Sequence, residues 1–105
     1  MDLIALTVGE AAAALRSGDL RAADYAEALL AQAARGASLN AFIHLDADSV
    51  RAAAAAADVR RQRGEALGAL HGVPLALKDN LDTAEMPTTG GTPGLRGHRP
   101  KRNAA

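Results

Sequence analysis

The sequence predicts an α/β fold: three helices flanking two strands of a larger mixed sheet, followed by an unstructured C-terminal tail. Three observations carry this. Three stretches place small and apolar residues at helical spacing between recognisable start and stop signals. Two short stretches have the pattern of strands, one alternating and one almost wholly apolar. From residue 79 onward Thr, Gly and Pro dominate and no period remains.

The first helix is predicted over 8–17. Thr7 followed three residues later by Glu10 is a capping box, Val8, Ala11, Ala12 and Leu15 share one face, and Gly18 stops it. A second helix follows over 22–35, with Tyr25, Leu29 and Ala33 as its inward stripe and Gly36 at its end. The third, over 46–63, starts at Asp46 or Asp48, crosses the alanine run 52–57 and ends before Gly64. Each helix carries an acid early and an Arg late, matching the macrodipole. Between the second and third, Asn40 to Leu45 sets Ala41, Ile43 and Leu45 against Phe42 and His44, the period of a strand. After a turn through Gly68 and Gly72, Val73-Pro74-Leu75-Ala76-Leu77-Lys78 has the composition of a buried central strand, with Pro74 at its tolerated start.

Composition limits what such a chain does alone. Of its 105 residues 27 are Ala, and Leu, Ile, Val and Phe number only 21, so most apolar positions bury no more than a methyl group. A thin core implies helices that pack onto something larger and a weak or non-cooperative unfolding transition. No cysteine is present, which excludes disulfides, thiolate metal sites and a Cys nucleophile. The N-terminus has neither a positive n-region nor a long apolar run, so no signal peptide and no membrane partner is expected, and the cytoplasm is the default location. Net charge is zero, but Arg96, Arg99, Lys101 and Arg102 make the tail basic and the body acidic. Without an aromatic residue to stack on a base, that tail is read as a solvated loop, with no nucleic-acid partner.

The candidate chemistry lies at the end of the second strand, where α/β proteins gather their ligands. Ten of the twelve basic residues are Arg, and Lys78 is one of two lysines. A guanidinium does not release its proton, whereas an ammonium in an apolar surround does. Two readings of Lys78 stand: a base on the strand face opposite Asp79, or a head group that snorkels to water. His44 reads as a polar strand residue, since no second ligand or carboxylate accompanies it. Asp79, Asn80 and Asp82 read as turn residues, because neither the glycine nor the closing Glu of a calcium loop follows. Gly90, Gly91 and Gly94 match no phosphate-binding motif and read as a flexible loop. Ser17, Ser38 and Ser49 fall at a helix stop, a turn and a helix start, none in a nucleophile's glycine-rich setting.

The run Gly68-Ala69-Leu70-His71-Gly72-Val73-Pro74-Leu75-Ala76-Leu77-Lys78-Asp79-Asn80, followed by Asp82-Thr83-Ala84 and Met86-Pro87-Thr88-Thr89-Gly90-Gly91-Thr92-Pro93, resembles the amidase signature family. The resemblance covers most of the chain, including the upstream helix-helix-Leu-Asn-Ala-Phe order. Ala69 stands where proline is common in the family and Glu85 where glycine is common. The resemblance implies that residues 1–105 are the N-terminal part of an amidase domain, with 83–105 as cleft loop and tail. It implies a Ser, cis-Ser, Lys triad in which Lys78 is the lysine and both serines lie downstream, so that the 105 residues alone are inactive. It places Gly90, Gly91 and Thr92 near the substrate, a small-molecule amide, implies no cofactor and no metal, and leaves room for a homodimer of the complete enzyme. Thr88 to Pro100 resembles the branch acting on aryl or indole acetamides. The alternatives are the A subunit of a glutamyl-tRNA(Gln) amidotransferase, with partner subunits and glutamine as amide donor, and a short non-catalytic binding module.

Overall fold

The computed structural model describes all 105 residues, and its helices are α1 (Val8–Ser17), α2 (Ala22–Arg35) and α3 (Ala47–Gln62). Short 3-10 turns occupy Leu3–Ala5, Ala37–Leu39 and Pro93–Leu95. The predicted start of α1 is realised in full: the Thr7 hydroxyl accepts from the Glu10 amide at 3.2 Å, and the Glu10 carboxylate accepts from the Thr7 amide at 2.8 Å. Gly18 closes α1 in the left-handed region at φ 86°. Asp46 caps α3, accepting from the amides of Asp48 and Ser49.

The chain folds as two compact units, Met1–Leu39 with Asp46–Pro74, and Asn40–Leu45 with Leu75–Ala105. The first holds the core. Its buried apolar residues are Ala11, Leu15, Leu20, Ala22, Tyr25, Ala26 and Ala54, with Leu3, Leu6, Leu29, Val50 and Val73 packed around them. Four of the seven are alanine, so the helices approach closely while burying little area per contact. Val8 lies outside the stripe predicted for it and is exposed.

α3 serves both of its neighbours through one polar edge. Arg21, at the N-cap position of α2, offers no side-chain acceptor. Buried Asp58 supplies the cap from 36 residues away, its Oδ1 accepting from Ala22 N at 2.7 Å and its Oδ2 from Ala23 N at 3.0 Å. One turn on, the Arg61 guanidinium lies against Gly18: a Cβ there would sit 2.5 Å from Nη1. That sets a cation at the carbonyl end of α1, as the helix dipole favours.

The two predicted strands are not formed, and no sheet exists for the helices to flank. Residues 40–45 and 73–78 carry no ladder hydrogen bonds, and Leu75 and Leu77 are exposed at 68% and 51%. The physical reason is that alternation and apolar runs fix which way side chains point, whereas a strand exists only when a neighbour pairs its backbone. Neither segment meets such an edge. The tail also differs from expectation. It is irregular but hydrogen-bonded, with Thr88 N donating to His98 O at 2.8 Å, Ala104 N to Asp82 O at 2.8 Å and Ala84 N to Asn103 Oδ1 at 2.8 Å.

Within the first unit, residues 68–73 are pinned to the helices. Arg16 donates from α1 to the Gly68 carbonyl at 3.1 Å, and the amides of His71 and Val73 close turns onto Gly68 and Leu70. Gly72, at φ 76°, brings its backbone down onto the core: a Cβ would lie 3.3 Å from Ala22 Cβ and 3.5 Å from Leu15. Only glycine combines that φ with so close an approach to Ala22 without strain. No helix is long and apolar enough to cross a membrane.

Candidate functional site

The second unit carries an open cleft of about 490 Å³, walled by Phe42, His44, Lys78, Asp79, Met86, Gly90 and Gly91. Each wall follows from a local feature. The irregular 40–45 segment, bent at Ile43, presents Phe42 and His44. A turn closed by Leu81 N to Lys78 O at 3.1 Å sets Lys78 and Asp79 at its start, the role read for Asp79 and Asn80; Asp82, read the same way, lies just past the turn. Met86 follows Thr83, whose hydroxyl donates to the Met86 carbonyl at 3.3 Å.

Lys78, Gly90 and Gly91 are thus lining residues of one cleft. Thr92 stands beside them in sequence as the residue preceding Pro93–Leu95, outside the lining set. Lys78 is solvent-exposed, so the apolar surround expected of a buried central strand is not supplied by these 105 residues. The serines occupy the structural places read for them. Ser17 Oγ donates to the Ala14 carbonyl, Ser38 lies in the Ala37–Leu39 turn, and Ser49 Oγ donates to Asp46 Oδ2 at 2.7 Å.

What sequence reading missed is the partner of Asp79. Its Oδ1 accepts from Thr89 N at 2.9 Å, its Oδ2 accepts from the Thr89 hydroxyl, and its carbonyl accepts from Gly90 N at 2.7 Å. The two bonds from Thr89, side chain first, then hold the carboxyl below the usual carboxylate range, with smaller help from Gly91 and the charge on His44. Around this point Thr83, Thr88 and Thr89 are buried with their hydroxyls engaged; Thr88 donates to the Leu81 carbonyl and accepts from Thr83 N, both at 3.3 Å. A pair of threonines ten residues beyond an acid has no periodic signature, so only folding reveals the pairing.

Residues 24–105 match the Amidase family, more than three-quarters of the chain. The chain belongs to the amidase family. Among curated relatives of this amidase chain, the A subunit of the glutamyl-tRNA(Gln) amidotransferase of Chloroflexus aurantiacus is 49% identical over 100 residues, which is 94% of this chain and 20% of that protein. The subunits of the same name from Streptomyces coelicolor and Thermobifida fusca are 46% and 40% identical, over 98% and 91% of this chain and 21% and 20% of theirs. The amidase chain therefore spans about a fifth of the length of these relatives. No solved structure matches it.

Two expectations change with these findings. The aryl or indole acetamide branch has no support, since the relatives described are amidotransferase A subunits. Nor is the exclusion of nucleic acid supported, because those relatives are named for an enzyme of glutamyl-tRNA(Gln).

Proposed function

We propose that residues 1–105 form the N-terminal part of an amidase domain of the amidotransferase A type, and that Lys78 is the base of its amide-cleaving site. The carrying observation is that Lys78, in the Lys78-Asp79-Asn80 run, lines one cleft with Gly90 and Gly91. In this reading a neutral Lys78 takes a proton, through an intervening hydroxyl, from a serine that attacks the amide carbonyl and returns it to the departing nitrogen; ammonia leaves, and the acyl group stays on the serine until water releases it as the carboxylate. Both serines come from outside these residues. Gly90, Gly91 and Thr92 form the substrate-side wall. The amide donor is glutamine, the acceptor is glutamate carried on tRNA, and partner subunits complete the assembly.

The relatives' names favour this over a free-standing amide hydrolase. In this reading the 105 residues alone are inactive, since both serines of the triad come from outside them. The test is a chimera in which this chain replaces the matching segment of the Chloroflexus aurantiacus protein, assembled with that enzyme's own partners. Ammonia release from glutamine, passed to glutamyl-tRNA(Gln), supports the reading. A chimera that folds and assembles yet cleaves only other amides counts against glutamine as donor.

A further inference from the structure

The loop over Thr89 to Thr92 has the composition of an anion cradle, yet every one of its amides is turned inward. Thr89 N donates to Asp79 Oδ1 at 2.9 Å, Gly90 N to the Asp79 carbonyl at 2.7 Å, Gly91 N to Thr89 Oγ1 at 3.1 Å and Thr92 N to the Thr89 carbonyl at 3.0 Å. Glycine-rich loops bind phosphate or an oxyanion when successive amides converge on open space. These converge on Asp79 and Thr89 instead. Gly90 and Gly91, at φ 60° and 74°, are lining residues of the cleft beside Lys78, so what they have left for a ligand is carbonyl oxygen.

We propose that Asp79 is a positioning residue, latching the Thr89–Thr92 loop through Thr89 so that Gly90 and Gly91 are held as a fixed, donor-free wall beside Lys78. The role rests on the reading of Lys78 as the base. Asp79 accepts on both carboxyl oxygens, an arrangement that protonation weakens by turning one of them into a donor. Thr89 is the relay, donating its hydroxyl to Asp79 and accepting Gly91 N on the same oxygen. The charge that acts on the latch is that of His44, from the 40–45 segment. Because the folded carboxyl titrates below its ordinary range, the latch is complete above the unfolded value and opens as pH falls through the depressed one.

The test is two-dimensional NMR on the 15N-labelled 105-residue chain. On acidification below about pH 4, the amides of Thr89, Gly90 and Gly91 shift together with one midpoint. Asp79→Asn removes that common titration and His44→Gln preserves it. Thr89→Val exposes Gly91 N to exchange at least about tenfold faster, and Thr89→Ser, which keeps the hydroxyl, restores the wild-type rate. Inorganic phosphate leaves the three amides unmoved at neutral pH. Random-coil shifts over residues 79–92, loss of the titration in His44→Gln, a phosphate-induced shift, or wild-type exchange in Thr89→Val would each overturn the latch. In the chimera, Thr89→Val lowers ammonia release about tenfold or more and Thr89→Ser restores it; undiminished turnover in Thr89→Val overturns the positioning role. Lys78→Ala leaves the NMR signature intact, so the base assignment and the latch fail separately.

Discussion

Replacing Asp58 with alanine should loosen the start of α2 although the two lie 36 residues apart in sequence. The carboxylate accepts two amides, at 2.7 and 3.0 Å, in a place where Arg21 offers no cap of its own. A hydrogen bond to a charged group is worth about 1.5–3 kcal/mol and an N-cap about 1–2. The two overlap here and do not add, and the Ala23 amide, less buried, regains water on truncation. The Ala22 amide, at a residue 1% exposed, does not. The expected loss is therefore about 2–3 kcal/mol for Asp58→Ala and about 1 for Asp58→Asn, which keeps one acceptor and drops the charge. Urea unfolding followed by far-UV circular dichroism gives the total. Amide exchange at Ala22 and Ala23 reads the cap directly, and a thin core does not blur it. A loss below about 0.5 kcal/mol in Asp58→Ala, with unchanged protection of Ala22, refutes the cross-chain cap.

Gly72→Ala should destabilise the first unit by about 1–3 kcal/mol, because it adds a methyl 3.3 Å from Ala22 Cβ at a positive φ; an unchanged melting temperature would contradict the packing described. Gly18→Ala should cost at least about 1 kcal/mol and displace Arg61, visible as altered chemical shifts of the Arg61 side chain; a wild-type Arg61 environment would speak against that contact. The carboxyl of Glu10 is held below its usual range, chiefly by the Thr7 amide and then by the Thr7 hydroxyl, so its contribution is present above the ordinary glutamate pKa and is lost as pH falls through the depressed one. Thr7→Ala, which removes only the hydroxyl, should cost about 1 kcal/mol at neutral pH, whereas Glu10→Gln, which removes the titrating group, should flatten that acid limb; an acid limb unchanged in Glu10→Gln would show that the capping box does not supply it.

The helices were legible because their signals are local. Thr7 and Glu10, Gly18, Gly36 and Asp46 each act within a turn of where they stand, and all perform as the sequence indicates. Asp58 and Arg61 were not legible: inside an alanine-rich helix they look like solvated charges, and their use at the ends of two other helices depends on how three helices meet. The strands failed for a related reason. Ile43, Leu75 and Leu77 carry the right pattern, but pairing is a property of two segments and no second one presents an edge to either. At the site, motif resemblance located Lys78, Gly90 and Gly91, which do share a cleft. The Asp79–Thr89 tie that shapes that cleft appears only once the chain has turned through Asn80 and Leu81.

In the proposed mechanism residue 78 sheds and regains a proton, and Lys78→Arg isolates that requirement. Arginine keeps the charge and much of the length but does not deprotonate. In the chimeric amidotransferase, Lys78→Arg should lower ammonia release from glutamine at least about a hundredfold, as far as Lys78→Ala does, with assembly unchanged. Turnover near wild type in Lys78→Arg would show that position 78 supplies only positive charge.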